Sequence, residues 1–213
     1  MGPWLAAAQY IQANSARFTQ ALEVHLWLSA LALLVAAVIC VPLGILTSRS
    51  RSSAAAALGI VNTLRVIPSL AIILLVFPFL GLGPKPALVA LIVLACPPIL
   101  VNTDAGFRNV DPAIVEAARG MGMSPLQTLW QVQTPLALPV IVAGFRTATI
   151  EVVASATLAT FIGSGGLGDF IAAGLALNDS KLLLVGAVPV ALLALTAEIL
   201  LGNLERRLRV RAA

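Results

Sequence analysis

Residues 111–139 read DPAIVEAARGMGMSPLQTLWQVQTPLALP, and three helix-start signals stand close together in that stretch. Asp111 precedes Pro112, which sets a capping carboxylate ahead of a proline at the first helical position, where a missing N–H costs nothing. Ser124-Pro125 repeats the device, and Gln127 completes a capping box with Ser124. Thr134-Pro135 is the third signal. Gly120 and Gly122 are the residue type that ends a helix. The pattern predicts a short helix, a break, a second helix and then a long apolar run. Ile114, Ala117, Ala118 and Met121 recur at helical spacing and give the first short helix an apolar face, with Glu116 and Arg119 to its side. A helix of about ten residues does not persist alone in water. It needs a surface, either its own bundle or a partner.

Outward from this stretch the chain is apolar. Of 213 residues, 60% are hydrophobic and 10% are charged. An ordinary soluble domain carries about 25% charge. So little charge cannot cover a globular surface, which excludes a soluble domain, a coiled coil, a disordered tail and, despite a net charge of +4, a nucleic-acid binder. A membrane-spanning helix takes about 20 mostly apolar residues. Five segments qualify: 24–46, 54–80 with Arg65 and Pro68 inside it, 86–107, 135–162 and 182–204. The fold class is all-α, a polytopic membrane helix bundle of about five transmembrane helices. Its longest polar interruption is 108–134 and a second lies at 163–181. Residues 1–20 read as an interfacial segment, or less readily a sixth short span, 21–206 as the membrane domain, and 207–213 as a basic tail.

Lysines and arginines orient the bundle. With the C-terminus inside, Arg49, Arg51, Arg108, Arg119, Arg206, Arg207, Arg209 and Arg211 are cytoplasmic, whereas Arg17, Lys85 and Lys181 are external. The bias predicts N-terminus out, C-terminus in, with the 108–134 loop in the cytoplasm. Arg65, Arg146, Glu151 and Glu198 lie within spans and require partners on other helices or a watered cavity. Arg146 and Glu198 both fall toward the cytoplasmic half and are a candidate pair. His25 reads as interfacial. Cys40 and Cys96 read as small buried hydrophobes rather than a disulfide or metal pair. Pro42, Pro68, Pro78, Pro97, Pro98, Pro139 and Pro189 lie in or at the ends of spans, which points to deformable helices around a transport path. Neither Lys85 nor Lys181 sits in a P-loop, so this chain does not bind ATP through one. Residues 163–168, GSGGLG, read as a tight external re-entrant turn, a candidate outer gate. The eleven aromatics form no cluster within one segment. No aromatic cage for an organic cation is therefore legible in one stretch.

Glu116-Ala117-Ala118, three residues, Gly122, nine residues and Val132-Gln133-Thr134-Pro135 together resemble the EAA loop of ABC-importer permeases. The family pattern ends Ile-x-Leu-Pro; Val132 is a conservative change and Thr134 departs from the usual Leu. Ile67-Pro68-Ser69-Leu70-Ala71, Pro98-Ile99-Leu100-Val101-Asn102-Thr103 and the GSGGLG run follow the same order as in the short permeases of osmoprotectant importers. The resemblance covers about residues 22–204. It implies a permease subunit in the bacterial cytoplasmic membrane that carries glycine betaine, carnitine, choline or a related compound. Another small solute such as an amino acid, or a secondary transporter, is the alternative. Glu116, Ala117, Ala118, Arg119, Gly120, Gly122, Ser124 and Pro125 would form the coupling helix and its exit, seated on a separate ATP-binding cassette subunit. Pro68, Ser69, Asn102, Glu151, Gly163, Gly165, Gly166 and Gly168 are candidate gating and pathway positions. No catalytic residue, metal or cofactor is assigned to this chain; ATP and magnesium belong to the ATPase. The remaining implied partners are a second permease, identical or related, an extracytoplasmic substrate-binding protein and lipid.

Overall fold

The computed structural model describes residues 2–212, so Met1 and Ala213, the extreme ends of the two terminal segments, lie outside it. The helices are α1 (Pro3–Ala13), α2 (Ser15–Ser48), α3 (Arg51–Val66), α4 (Ser69–Leu80), α5 (Pro84–Arg108), α6 (Pro112–Gly120), α7 (Pro125–Gln127), α8 (Thr134–Ser155), α9 (Gly168–Leu177) and α10 (Ser180–Ala212). A π-helical turn, Thr128–Gln133, joins α7 to α8, and a 3₁₀ turn, Ala156–Ile162, extends α8. Four uninterrupted helical stretches have the length and hydropathy of spans: Ser15–Ser48, Pro84–Arg108, Pro125–Ile162 and Ser180–Val210. The fifth expected span is broken, with α3 and α4 meeting at 93°. Pro68 supplies no N–H to continue α3, and the chain restarts as α4 with Pro68 at its cap.

The centre is built on α5, which packs against α2 on one flank and α8 on the other. Leu28, Ala32, Ala36 and Cys40 recur at every fourth position of α2 and are buried against Ala87, Ala90, Leu91, Ala95 and Ile99 of α5. In lipid there is little hydrophobic gain between helices, so small residues that let backbones approach supply the packing. Two glycines set the distances. A Cβ at Gly44 would lie 2.6 Å from Thr103 Cβ, and one at Gly144 would lie 2.6 Å from the Pro98 carbonyl oxygen. α10 leans on α8 and α9, and α1 packs on α10.

Three expectations are corrected. The first membrane helix begins at Ser15, ahead of residue 24, because residues 15–23 continue it without a break. The second loop helix is not separate from the span. Pro125–Ile162 is one helical run, and Thr134 is not a cap. Its N–H and its hydroxyl both reach the Leu129 carbonyl, five residues back, the hydroxyl at 2.8 Å. The wider π turn gives the Pro135 ring room that an α turn lacks. The polar interruption 163–181 also contains a helix, α9, whose Phe170 and Gly174 are buried.

Candidate functional site

Helix α6 is fixed at both ends by its own residues. Asp111 Oδ1 accepts from the Ala113 N–H at 2.8 Å, and Pro112 opens the helix. At the other end the Gly122 N–H bonds the Arg119 carbonyl and the Met123 N–H bonds the Ala118 carbonyl. Gly122 takes φ +87°, the left-handed conformation this double closure requires. Ser124 and Gln127 then form the full capping box. Of the expected apolar face only Ala118, 2% exposed, is buried on the bundle. Met121 is 77% exposed; Ile114, Ala117, Leu126 and Trp130 are exposed as well, as are Glu116, Arg119 and Gly120. The apolar face is therefore left open by this chain. α6 rests on the π turn at the start of the α7–α8 run, so a load on it passes to that long helix. Beneath it a cavity of about 270 Å³ is lined by Ile45, Arg49, Phe107, Arg119, Thr128 and Gln133.

Within the slab, Pro68 and Ser69 form the hinge of the broken span. Arg65, at the last turn of α3, stands 3.6 Å from Glu151 of α8. Asn102 lies elsewhere, in the seam between α5 and α8, where its Cβ faces Gly144 and its Nδ2 donates to the Pro98 carbonyl at 2.8 Å. Nearer the loop end, Arg146 meets Glu198 at 3.5 Å, the pair expected from the sequence, and also Glu205 at 3.1 Å. Arg209 holds the other Glu205 oxygen at 2.8 Å. Glu205 was not singled out in the sequence. Its spacing of four from Arg209 on α10 was the available signal.

At the opposite end, Gly163, Gly165 and Gly166 take φ of +70°, +79° and +105°. The Gly163 N–H bonds the Thr160 carbonyl and the Ser164 N–H bonds the Ala159 carbonyl, so the turn closes the 3₁₀ segment as Gly122 closes α6. Gly168 is not in the turn. It opens α9, and a Cβ there would sit 2.1 Å from the Thr157 carbonyl oxygen. Thr160 donates to Asp169 Oδ1, tying the two sides of the turn. The turn rests on α2 at Val24 and His25. His25 is fully buried, not interfacial. Its Nε2–H donates to the Val153 carbonyl at 3.1 Å, a partner 128 residues away. A cavity of about 280 Å³, lined among others by Arg17, Gln20, Ser164 and Asp169, opens beside the turn. Tyr10, Phe18 and Phe170 also converge there, with Arg17 over the Phe170 ring and Lys181 over the Tyr10 ring, each 5.3 Å from the centroid. Three segments contribute these rings, which is why no single stretch of sequence displayed them.

A bundle of broken and bent spans with a capped, uncovered loop helix is the architecture of a transporter's membrane subunit. Residues 40–210 match the family described as binding-protein-dependent transport system inner membrane component. The chain belongs to this family and is a multi-pass protein of the cytoplasmic membrane. It is 47% identical over 188 residues, 88% of its length and 86% of the relative's, to the carnitine transport permease protein OpuCB of Listeria monocytogenes. It is 42% identical over 200 residues, 94% of its length and 92% of the relative's, to the choline transport system permease protein OpuBB of Bacillus subtilis strain 168. Among solved structures, an inward-facing form of the MetNI methionine ABC transporter superposes with a TM-score of 0.79 at 22% identity, covering 91% of this chain and 97% of that one.

Proposed function

We propose that this permease imports quaternary ammonium osmoprotectants of the glycine betaine, carnitine and choline class, and that α6 is the helix through which an ATP-binding cassette subunit drives it. The observation that carries the coupling role is the open face of α6: both helix ends are capped, yet Ala118 is its one fully buried residue. A membrane protein gains nothing by preorganising an apolar helix toward water unless a second surface covers it. In this reading Glu116, Ala117, Arg119 and Gly120 meet the ATPase. ATP and magnesium act there, and the movement reaches the π turn and the long helix behind it. The eight-to-three distribution of basic residues supports a cytoplasmic α6 and an external glycine turn. A second permease faces this one across the path, and a binding protein delivers substrate at the external end. The hinge at Pro68 and Ser69, Glu151 and the turn at Gly163, Gly165 and Gly166 are the moving or path-lining parts. Gly168 supports the turn through its contact with Thr157. Asn102, in the α5–α8 seam, serves the path by holding helix spacing.

The relatives' names support the substrate class. The amino-acid alternative gains no support from the methionine transporter at 22% identity, a likeness that carries the fold alone. Membership in the family argues against a secondary transporter. Co-expression with the ATPase tests the coupling role. Glu116→Lys and Ile114→Asp should leave membrane levels unchanged and reduce ATPase capture about tenfold or more, as losing a buried anchor does. Equal capture per extracted permease, with undiminished ATP-driven uptake in vesicles, would remove the assignment.

A further inference from the structure

One ion pair inside the slab joins two helices that otherwise barely touch. Arg65 lies about 21 Å along α3 from Arg51, and Glu151 about 26 Å along α8 from Thr134, at 1.5 Å per residue. Each is therefore well removed from the loop end of its helix. α3 packs on α5 and α2, not on α8, so the two side chains reach across a gap. They meet through one contact, Arg65 Nη2 to Glu151 Oε1 at 3.6 Å, and remain 45% and 34% exposed. A structural pair in lipid would be short, multiply bonded and covered. The Arg146 group comes nearer to that: two carboxylates converge on the guanidinium, and Glu205 is buried.

The flanks of the gap are polar too. Thr147, Glu151 and Ser155 recur every four residues along α8 and are half-buried. Asn62 precedes Arg65 by three on α3 and is exposed, and Ser69 begins the next helix beyond the break. Side chains of this kind inside a bilayer face a watered cavity. The gap holds a cation and an anion in loose contact beside a helix break.

We propose that Arg65 and Glu151 form a substrate station for a zwitterion. The carboxylate of the solute takes the Arg65 guanidinium, and its quaternary ammonium takes the Glu151 carboxylate. A zwitterion replaces each partner with an equal charge, so the gap stays neutral while the pair is open, and the pair re-forms when the solute leaves. A lone cation leaves Arg65 uncompensated, and a lone anion leaves Glu151 so. This assignment rests on the osmoprotectant reading above and names how the zwitterionic members of that class, glycine betaine and carnitine, are handled within the membrane.

The test uses the whole importer, with its ATPase and binding protein, in liposomes, and glycine betaine as the probe. Arg65→Gln and Glu151→Gln should each lower glycine betaine uptake about tenfold or more, the worth of one charged hydrogen bond, while ATPase capture stays at wild-type level. The double variant, which leaves no unpaired charge, controls for misfolding and should remain as poor a transporter as the single variants. Arg65→Cys and Glu151→Cys should react with a water-soluble methanethiosulfonate above the wild-type background, and saturating glycine betaine should slow both reactions. Unreactive cysteines, reaction rates indifferent to glycine betaine, or full uptake by the double variant would overturn the station. If wild-type importer accumulates no glycine betaine, the osmoprotectant reading has failed instead.

Discussion

Gly122 shows what one residue contributes to this molecule. No atom outside its own neighbours lies within 4 Å of a Cβ built there, so bulk is not the constraint. Its φ of +87° is. Valine in that conformation costs about 1–2 kcal/mol, whereas asparagine visits it with less strain. Gly122→Asn should therefore keep ATPase capture near wild type and Gly122→Val should weaken it, with equal membrane levels of both. Pull-down of the ATPase against extracted permease reads the difference; equal capture by the two variants would separate the helix exit from coupling. His25 makes the opposite point. Its place near the start of the first span suggested an interface, but the Val153 carbonyl that occupies it comes from a helix 128 residues on. No local pattern announces such a partner.

At the scale of helices, the spans were legible because hydropathy acts locally: an apolar run long enough to cross a bilayer must cross it or be buried. The pairing of Arg146 with Glu198 was legible for the same reason, since a charge in a span needs an opposite charge. The break at Pro68 was marked by the proline, but its 93° angle was not, because α4 takes its direction from packing on α5. Thr134-Pro135 misled in the other direction: the motif that opens helices elsewhere here sits inside one, accommodated by a π turn. Of the candidate site, the caps and the glycine exit of the loop helix were legible, while the openness of its apolar face was known only after the bundle was assembled. The Arg146 network gives this scale its prediction. Glu205 is buried, and its Oε2 faces Arg146 without hydrogen-bond alignment, so removing the arginine leaves that oxygen uncompensated and the carboxylate held by Arg209 alone. Arg146→Met should destabilise the detergent-solubilised protein by about 1–3 kcal/mol. Adding Glu205→Gln should recover part of the loss. Thermal unfolding followed by loss of monodispersity checks both, and an unchanged melting temperature in Arg146→Met would show the network to be idle.

For the whole molecule, the basic-residue bias and the coupling role proposed for α6 both call for the N-terminus outside and the C-terminus inside. Lys85 lies just inside the start of α5, at the end of the bundle that carries the glycine turn, and Ser124 lies beside α6 at the other. Single cysteines at these sites should label oppositely in intact cells with a membrane-impermeant reagent: Lys85→Cys reacts, Ser124→Cys reacts only after lysis. The reverse pattern would invert the molecule and put α6 out of reach of a cytoplasmic ATPase.

The contact between α1 and α10 bears on how the chain is made. α1 rests on α10, which follows it in the chain by more than 160 residues, and Lys181, at the start of α10, covers the Tyr10 ring. During synthesis α1 has no seat until most of the chain exists. A nascent permease stalled before Ser180 would leave α1 without the α10 surface it packs on, so this junction closes only late in synthesis.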